Sequence, residues 1–409
     1  MKVAIIGGGA AGLMAAATLR ESNPDVGVVL IERNNGLGKK VLISGGGRCN
    51  VTTGILDIPT VLSKYPRGGK FLSSAMYAFP PEAVISWFET HGVPLKTEED
   101  SRVFPRSDDG KDIVGAFEKM FASSGVEVLL NASVVRVEKR DDQFQVFLKG
   151  RDVPVTADRL ILTTGGQAYR HTGSTGDGYA FAQTLGHSMT PLAPSLNAFY
   201  ARETWPKEIS GLSFEQATIS APKQKKKFTG PFLFTHRGIS GPAVFALSSY
   251  LAFETYGSDQ PMEINVDLFP EESEDDLLMR LTDVIIEHPK KSIANVLDIL
   301  LPRSLVPVLC REASVASDRR ANEVSKKDLM HLIGWLKHVP LSIIGRDAGD
   351  EFVTAGGIDL KEVDPSTMQS KICPGLFFAG EILDVDGFTG GFNLQASWAT
   401  GRLAGLSVA

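Results

Sequence analysis

The chain opens MKVAIIGGGAAGLMAAA, an apolar run that passes through three consecutive glycines into a stretch rich in alanine and leucine. No other feature restricts the fold as much. Val3 to Ile6 is continuous and apolar, the pattern of a strand buried on both faces. Ala10 to Arg20 reads as a helix, apolar nearly all round and therefore buried. Val26 to Ile31 is a second apolar run, ending in Glu32. Strand, glycine turn, helix and strand make a right-handed βαβ unit, which points to an α/β fold with a Rossmann-like domain. Gly7, Gly9 and Gly12 form GxGxxG. The first permits the tight turn, the second lets backbone approach a pyrophosphate, and the third lets helix and strand pack closely. Ala10 and Ala11 open the helix, whose free N–H groups and dipole favour negative charge. Glu32, followed by Arg33, stands 20 residues past Gly12. A carboxylate there accepts both ribose hydroxyls of an adenosine and repels a 2′-phosphate. A plain βα turn with an exposed Glu32 would share these letters; strand, helix and acid together favour a dinucleotide.

Charge and cysteine content narrow the class. The net charge of -6 argues against a nucleic-acid binder, which usually carries a basic surplus. The one charge run, KQKKK at 223–227, reads as a solvated hairpin tip. Cys49, Cys310 and Cys373 form no CxxC pair, which fits a reducing, cytoplasmic setting and removes the dithiol of a disulfide reductase. No run approaches the ~20 apolar residues of a membrane span. Lys2 and the run after it imitate a signal peptide, but the glycines and the ordered strand–turn–helix pattern argue against one. No metal site is expected.

Further along, residues 111–122 read as a helix with an exposed side. Val126–Leu130, Ser133–Glu138 and Gln143–Leu148 read as antiparallel strands, with KRDDQ a turn between the last two. Leu160–Leu162 reads as a buried strand leading into TTGG. At TPLAPS (190–195) the texture changes. Residues 194–270 read as a β-rich insert and 271–338 as a helical one, broken at Pro302 and Pro307. The strand and glycine pattern returns from 339. The nucleotide domain is therefore expected to be split, 1–193 plus 339–409.

Four more stretches carry chemistry. GLFFAGEILDVDGFTGGFNLQASWATG (375–401) holds a strand, Gly380-Glu381, and Gly390-Gly391 opening a helix. An NAD domain has no need of this second acid and glycine-led helix, whereas a long FAD does. Glu381 suits the ribitol or pyrophosphate region, and the helix start near Gly391–Asn393 suits the flavin's pyrimidine carbonyl. In GKKVLISGGGRCNVT (38–52), Gly45, Gly46 and Gly47 bring backbone N–H groups close to a flat ring or phosphates. Gly38, Lys39, Ser44, Arg48 and Asn50 flank them with charge and hydrogen-bonding groups, and Cys49 reads as a small buried residue. In TTGGQAYRHTGSTGDGYAFA (163–182), Thr164, Gly165 and Gly166 follow a strand, and Asp177 is expected to cap the next helix. FTHRGISGPAVFAL (234–247) supplies His236, the best proton donor in the chain, and Arg237. A histidine tied to backbone would read the same way.

Together these motifs resemble the YhiN/BaiN-like flavoproteins, a family that includes aminoacetone oxidase and a bile-acid reductase. GGGAAG, GKKVLISGGGRCNVT, TGSTGDGY, FTHRGISGP, VTAGGIDLKEVDPSTMQSK and GLFFAGEILDVDGFTGGFN carry the resemblance across almost the whole chain. It implies non-covalent FAD in a split nucleotide domain, with the insert over the flavin. Relatives that tether flavin use a histidine near SGGG; none lies between Ser44 and Asn50. Two departures stand out: Thr53 where the family has asparagine, and Arg170 where it has proline. Val135, Asp384, Phe392 and Leu394 complete the expected cofactor-binding set. The expected activity is an FAD-dependent oxidoreductase acting on a small organic substrate, with His236 and Arg237 on the substrate side. No second dinucleotide fingerprint exists, so NAD(P)H would be a transient, ping-pong reductant. The alternatives are a flavin-binding regulator without turnover and an RNA-modifying flavoprotein using the KQKKK tip. Oligomeric state is not legible.

Overall fold

The glycine turn at the N-terminus sits where its sequence places it, between the strand Lys2–Ile6 and the helix Ala10–Ser22. The computed structural model describes residues 1–346 and 351–409. They divide into two units, one of Met1–Ser195 with Gly349–Ala409, the other Leu196–Ala348.

In the first unit, five strands form one parallel sheet in the order Leu376–Phe378, Arg159–Leu162, Lys2–Ile6, Gly27–Ile31, Glu127–Leu129. Chain order reverses beside Lys2–Ile6, the switch point at which doubly wound sheets bind ligands. Residues 126–130, expected as an antiparallel strand, instead contribute this sheet's parallel edge. Val128 and Leu129, paired beside Leu30 and Ile31, pack partly buried against the unit's core, while Glu127 beside Val29 stays exposed, as suits an edge strand. The antiparallel meander starts one element later, with Val134–Arg140, Gln143–Leu148 and Val155–Ala157. Its KRDDQ turn has Asp141 and Asp142 both left-handed, at φ +46° and +64°. That is the turn which matches strand twist in a two-residue hairpin.

The last helix, Phe392–Ser407, is clamped into this unit. Trp398 is fully buried, stacks on Phe117 at 5.8 Å, and donates from Nε1 to the Val51 carbonyl at 2.9 Å. Gln395, also fully buried, accepts from Thr52 Oγ1 at 2.6 Å and donates to the Phe79 carbonyl at 2.9 Å.

The second unit is a closed six-stranded antiparallel barrel with helices. Val339–Arg346, expected with the nucleotide domain, closes the barrel by pairing with both Met262–Asp267 and Phe199–Ala201. Its inward residues Val339, Leu341 and Ile343 are fully buried in the barrel core, which fixes its allegiance. The region 271–338 is helical, with Glu274–Glu287, Ile293–Leu300, Leu305–Glu312 and Lys326–Lys337. Pro307 does not break Leu305–Glu312, because it occupies the first turn, where its missing N–H has no partner to lose. Among the described residues no helix is long and apolar enough to cross a membrane.

Candidate functional site

The glycines of the first turn do three different jobs. Gly7 adopts φ +110°, and a Cβ there would lie 2.5 Å from the Thr163 carbonyl oxygen. At Gly12 a Cβ would lie 1.9 Å from the Gly7 carbonyl oxygen. Around Gly9 a Cβ would meet nothing within 4 Å, so the space beside it is open. Gly9 also caps the helix without any side-chain hydrogen bond, and the first turn holds no acid. The N–H groups of Ala10, Ala11 and Gly12 therefore point outward unsatisfied. Glu32 accepts from Gly8 N at 2.7 Å with one oxygen, and from Asn34 N and Nδ2 at 2.8 and 2.7 Å with the other. It is 8% exposed and braces the glycine loop from the end of its strand.

A second helix start of the same kind stands at the C-terminus. Gly391 caps Phe392–Ser407 at φ +89°, with no side-chain cap and no acid in the first turn. Phe392, Asn393 and Leu394 keep free N–H groups there. Asn393 turns its side chain back, accepting from Gly387 N and donating to its carbonyl, both at 2.8 Å, and so fixes the preceding loop.

The two helices lie side by side. Cβ atoms on Gly401 and Gly405 would stand 2.4 and 2.7 Å from the carbonyl oxygens of Ala11 and Ala15. Residue numbers rise together along this seam, so the helices run parallel and both N-termini face the same way. Gly401 lies nine residues into its helix, and Ala11 one residue into the other. The last helix therefore begins eight residues further out, about 12 Å at 1.5 Å per residue.

The glycine-rich ribbon 44–50 reaches this second helix start. Gly45, Gly46 and Gly47 are all left-handed, at φ +57°, +72° and +92°. The ribbon continues into Thr52, whose carbonyl oxygen would be 2.3 Å from a Cβ on Gly391. Ser44 Oγ bonds the Val41 carbonyl at 2.7 Å, and Asn50 Oδ1 accepts from Val103 N at 3.3 Å. Cys49 is fully buried, and burial pushes its thiol up to about 12. That thiol is not a thiolate at neutral pH and serves as packing. Gly38 is left-handed at φ +62°, beginning the short helix Lys39–Ile43.

Lys40, not Lys39, reaches the other motifs. Its Nζ meets Glu381 Oε2 at 2.6 Å, while Glu381 Oε1 accepts from Thr354 N at 2.9 Å. Thr354 Oγ1 in turn accepts from Gln167 N at 2.7 Å, directly after Gly165-Gly166. Gly380, at φ +78°, would place a Cβ 2.8 Å from that of Ala11. Among the described residues Thr164 Oγ1 and Asp384 Oδ1 are buried without a hydrogen-bond partner, and burial raises the Asp384 carboxyl above the usual range.

Other expected residues are engaged elsewhere. Arg33 donates to Asp177 Oδ2 at 2.9 Å and Thr175 Oγ1 at 2.6 Å. Asp177 does not cap its helix: Gly176 takes that position and Asp177 is the first helical residue, held by Arg33 and Thr175. Arg48 lies between Glu98 at 2.5 Å and Asp108 at 2.7 Å, over the Phe104 ring. Val135 is the extra residue of a β-bulge between Val134 and Arg136, with its side chain 58% exposed. His236 and Arg237 form the exposed tip of a two-residue turn in the barrel unit, and Arg237 stacks 3.6 Å over Tyr200.

Sequence reasoning missed Lys40, Asn34 and Thr354. It also missed Asp386, fully buried and bonded at 2.5 Å by Arg67 Nε and at 2.8 Å by Ser195 Oγ. Lys40 adjoins Lys39 in the motif and Asn34 stands two residues from Glu32, so both were there to be read; Thr354 and Asp386 depend on long-range contacts that no local pattern encodes. The residues present fit a non-covalent flavin dinucleotide. Two uncapped helix starts face one way, open space lies beside Gly9, and buried polar atoms at Thr164 and Asp384 lack protein partners.

Comparison with known proteins agrees with this architecture. The family described as HI0933-like protein Rossmann domain matches residues 1–407. The chain is 30% identical over 411 residues to a 3-dehydro-bile acid delta(4,6)-reductase of Clostridium scindens, covering 100% of this chain and 99% of that one. It is 32% identical over 411 residues to a ribosomal RNA dihydrouridine synthase of Haemophilus influenzae, covering 99% and 97%. Its fold is similar to that of the 3-ketosteroid delta1-dehydrogenase of Sterolibacterium denitrificans, with a TM-score of 0.51, 11% identity, and 99% and 98% of the two chains covered.

Proposed function

The chain belongs to the HI0933-like Rossmann-domain family and is an FAD-dependent oxidoreductase, and from that premise we propose that it reduces a carbon–carbon double bond conjugated to a carbonyl, with NAD(P)H as transient reductant. The observation that carries the reading is the pair of parallel, uncapped helix starts, staggered by about 12 Å along their axes at the 1.5 Å rise per residue. FAD, when bound, supplies two-electron chemistry that no side chain here provides. The backbone around Gly7, Gly9 and Gly12 and the N–H groups of Ala10 and Ala11 would hold its diphosphate. Glu32 would hold the adenosine ribose. Phe392, Asn393 and Leu394 would direct N–H groups at the ring's carbonyl edge, where the helix dipole favours negative charge. The flexible backbone of Gly45–Gly47 would let the ribbon lie close to the ring.

The names of two relatives support the reaction class. A 3-keto acid with double bonds at positions 4 and 6, and a uridine converted to dihydrouridine, both lose a carbonyl-activated double bond. Each reduction adds a hydride to one carbon and a proton to its neighbour, and consumes one NAD(P)H and one proton. His236 is the proposed proton donor, with Arg237 beside it steadied on Tyr200. A second reading of the substrate, uridine within RNA rather than a free enone, is favoured by the exposed lysines at 223–227.

Anaerobic photoreduction followed by reoxidation against enones, imines, oxygen and uridine-containing RNA tests the proposal. Reoxidation by an enone or by RNA, with saturated product, is expected. Reoxidation by oxygen or imines alone would overturn it.

A further inference from the structure

The barrel unit carries a charged projection that the flavin chemistry does not use. The strands Ser213–Ala221 and Lys226–Thr235 pair as a long hairpin, ending in a tight turn where Lys225 N donates to the Pro222 carbonyl at 3.1 Å. Lys225 is left-handed, at φ +54°. Lys223, Lys225, Lys226 and Lys227 are all exposed. Cross-strand pairing sets Lys226 opposite Ala221 and Lys227 opposite Ser220, so the ammonium groups leave the tip on both faces. Lys226 lies 4.5 Å from the Tyr250 ring, which stacks on Phe228 at 5.3 Å.

Carboxylates do not answer this charge. Among the described residues none of the four lysines forms an ion pair, whereas Lys2, Lys40, Lys96 and Lys337 each do. Glu254, the acid bonded to the tip, bonds Gln224 at 3.3 Å instead. Four like charges within five residues repel one another in the free protein, and a polyanion relieves that repulsion. Residues 222–227 also hold no large apolar side chain of the kind an interfacial segment inserts into lipid.

We propose that this hairpin tip docks the phosphate backbone of RNA, positioning the strand while base recognition occurs elsewhere. The inference rests on the RNA reading of the substrate. The tip supplies affinity without sequence preference, and its strength depends steeply on salt. Four neutralised phosphates predict a log–log salt slope of about -3 to -4, close to a hundredfold loss between 50 and 200 mM salt.

The test uses the full FAD-loaded chain, deproteinised bacterial ribosomal RNA as probe, and the quadruple variant Lys223→Gln, Lys225→Gln, Lys226→Gln, Lys227→Gln. Flavin content and NAD(P)H-dependent dye reduction should be unchanged in the variant, showing an intact fold. RNA binding should weaken at least tenfold at 50 mM salt, with a slope shallower by about 3. A matching quadruple arginine variant should bind as the natural chain does. Equal affinity and slope in the glutamine variant overturn the proposal, as does capture by vesicles with 30% phosphatidylglycerol in place of RNA. If uridine is reduced equally by both forms, the docking role fails while the RNA reading survives. Lysine-dependent binding without dihydrouridine formation defeats the reading and leaves the docking surface standing.

Discussion

The nucleotide unit and the barrel unit rely on different kinds of information. In the first, backbone conformation makes the site: Gly7, Gly12, Gly391 and Gly401 each stand where a Cβ would be 1.9 to 2.5 Å from a carbonyl oxygen. In the second, most stability lies in side-chain packing: Phe232, Phe234, Leu332 and Val339 are almost wholly buried around one core. The barrel has its own close glycine, Gly238, with a Cβ position 2.3 Å from the Phe199 carbonyl oxygen, but it serves strand pairing. A motif of obligatory glycines is readable one position at a time. A packed barrel is readable only as alternation, which leaves strand order open.

The largest effect should come from the core residue that joins both kinds of information. Trp398 fills the unit-one core and ties the last helix to the glycine-rich ribbon through Val51. Trp398→Ala should destabilise by about 3–5 kcal/mol and release flavin. Phe232→Ala, of similar cost in the barrel, should leave flavin content intact at a temperature below either transition. Thermal unfolding followed by flavin fluorescence and by far-ultraviolet circular dichroism separates the two. Parallel flavin loss in both variants would break the distinction between the units.

Within the nucleotide unit, Gly9 and Gly12 sharpen it further. Gly12→Ala forces a Cβ against backbone and should prevent native packing of the first helix. Gly9→Ala meets no protein atom, so the fold should persist with an unchanged Tm. The added methyl instead enters the space proposed for the diphosphate. Flavin affinity should fall at least tenfold, about 1.4 kcal/mol. Retention of FAD by Gly9→Ala, measured by ultrafiltration and absorbance, would remove the diphosphate from that position.

How much could be read without coordinates follows the same division. The βαβ start, the Asp141-Asp142 turn and the glycine-led last helix were legible because each is fixed by local backbone need. The strand at 127–129 was misjudged because period and turn chemistry cannot distinguish a buried parallel edge from a hairpin arm. Val339–Arg346 was misassigned because its alternation suits any half-buried strand, and only its two partners decide. Residues 54–105 gave no reading at all. Their short strands and helices are held by contacts such as Phe88 on Trp398, more than 300 positions away in sequence. In the site, Gly9, Gly12 and Glu32 were visible as a spaced motif. Lys40–Glu381 was not, because an ion pair across the chain leaves no periodic trace.

The smallest effect concerns a buried histidine that neither unit's motif announced. His187 lies between Glu362, at 3.0 Å from Nδ1, and Ser370, at 2.7 Å from Nε2, with its ring edge-on to Phe378. Burial holds its pKa below the usual imidazole value, although Glu362 pulls the other way. The unfolded chain takes up a proton at this histidine near pH 6.5, while the folded site resists it until the pH is lower. Stability from this site is therefore complete above about pH 6.5 and declines as the pH falls beneath it, because the unfolded state binds more protons there. Ser370 reinforces the neutral form, since its hydroxyl also accepts from Ile372 N and Cys373 N and so donates its single proton to Nε2. His187→Asn should lower Tm at neutral pH and flatten its decline between pH 7 and pH 5. The same decline in variant and natural chain would assign the acid sensitivity of the nucleotide unit to its carboxylates instead.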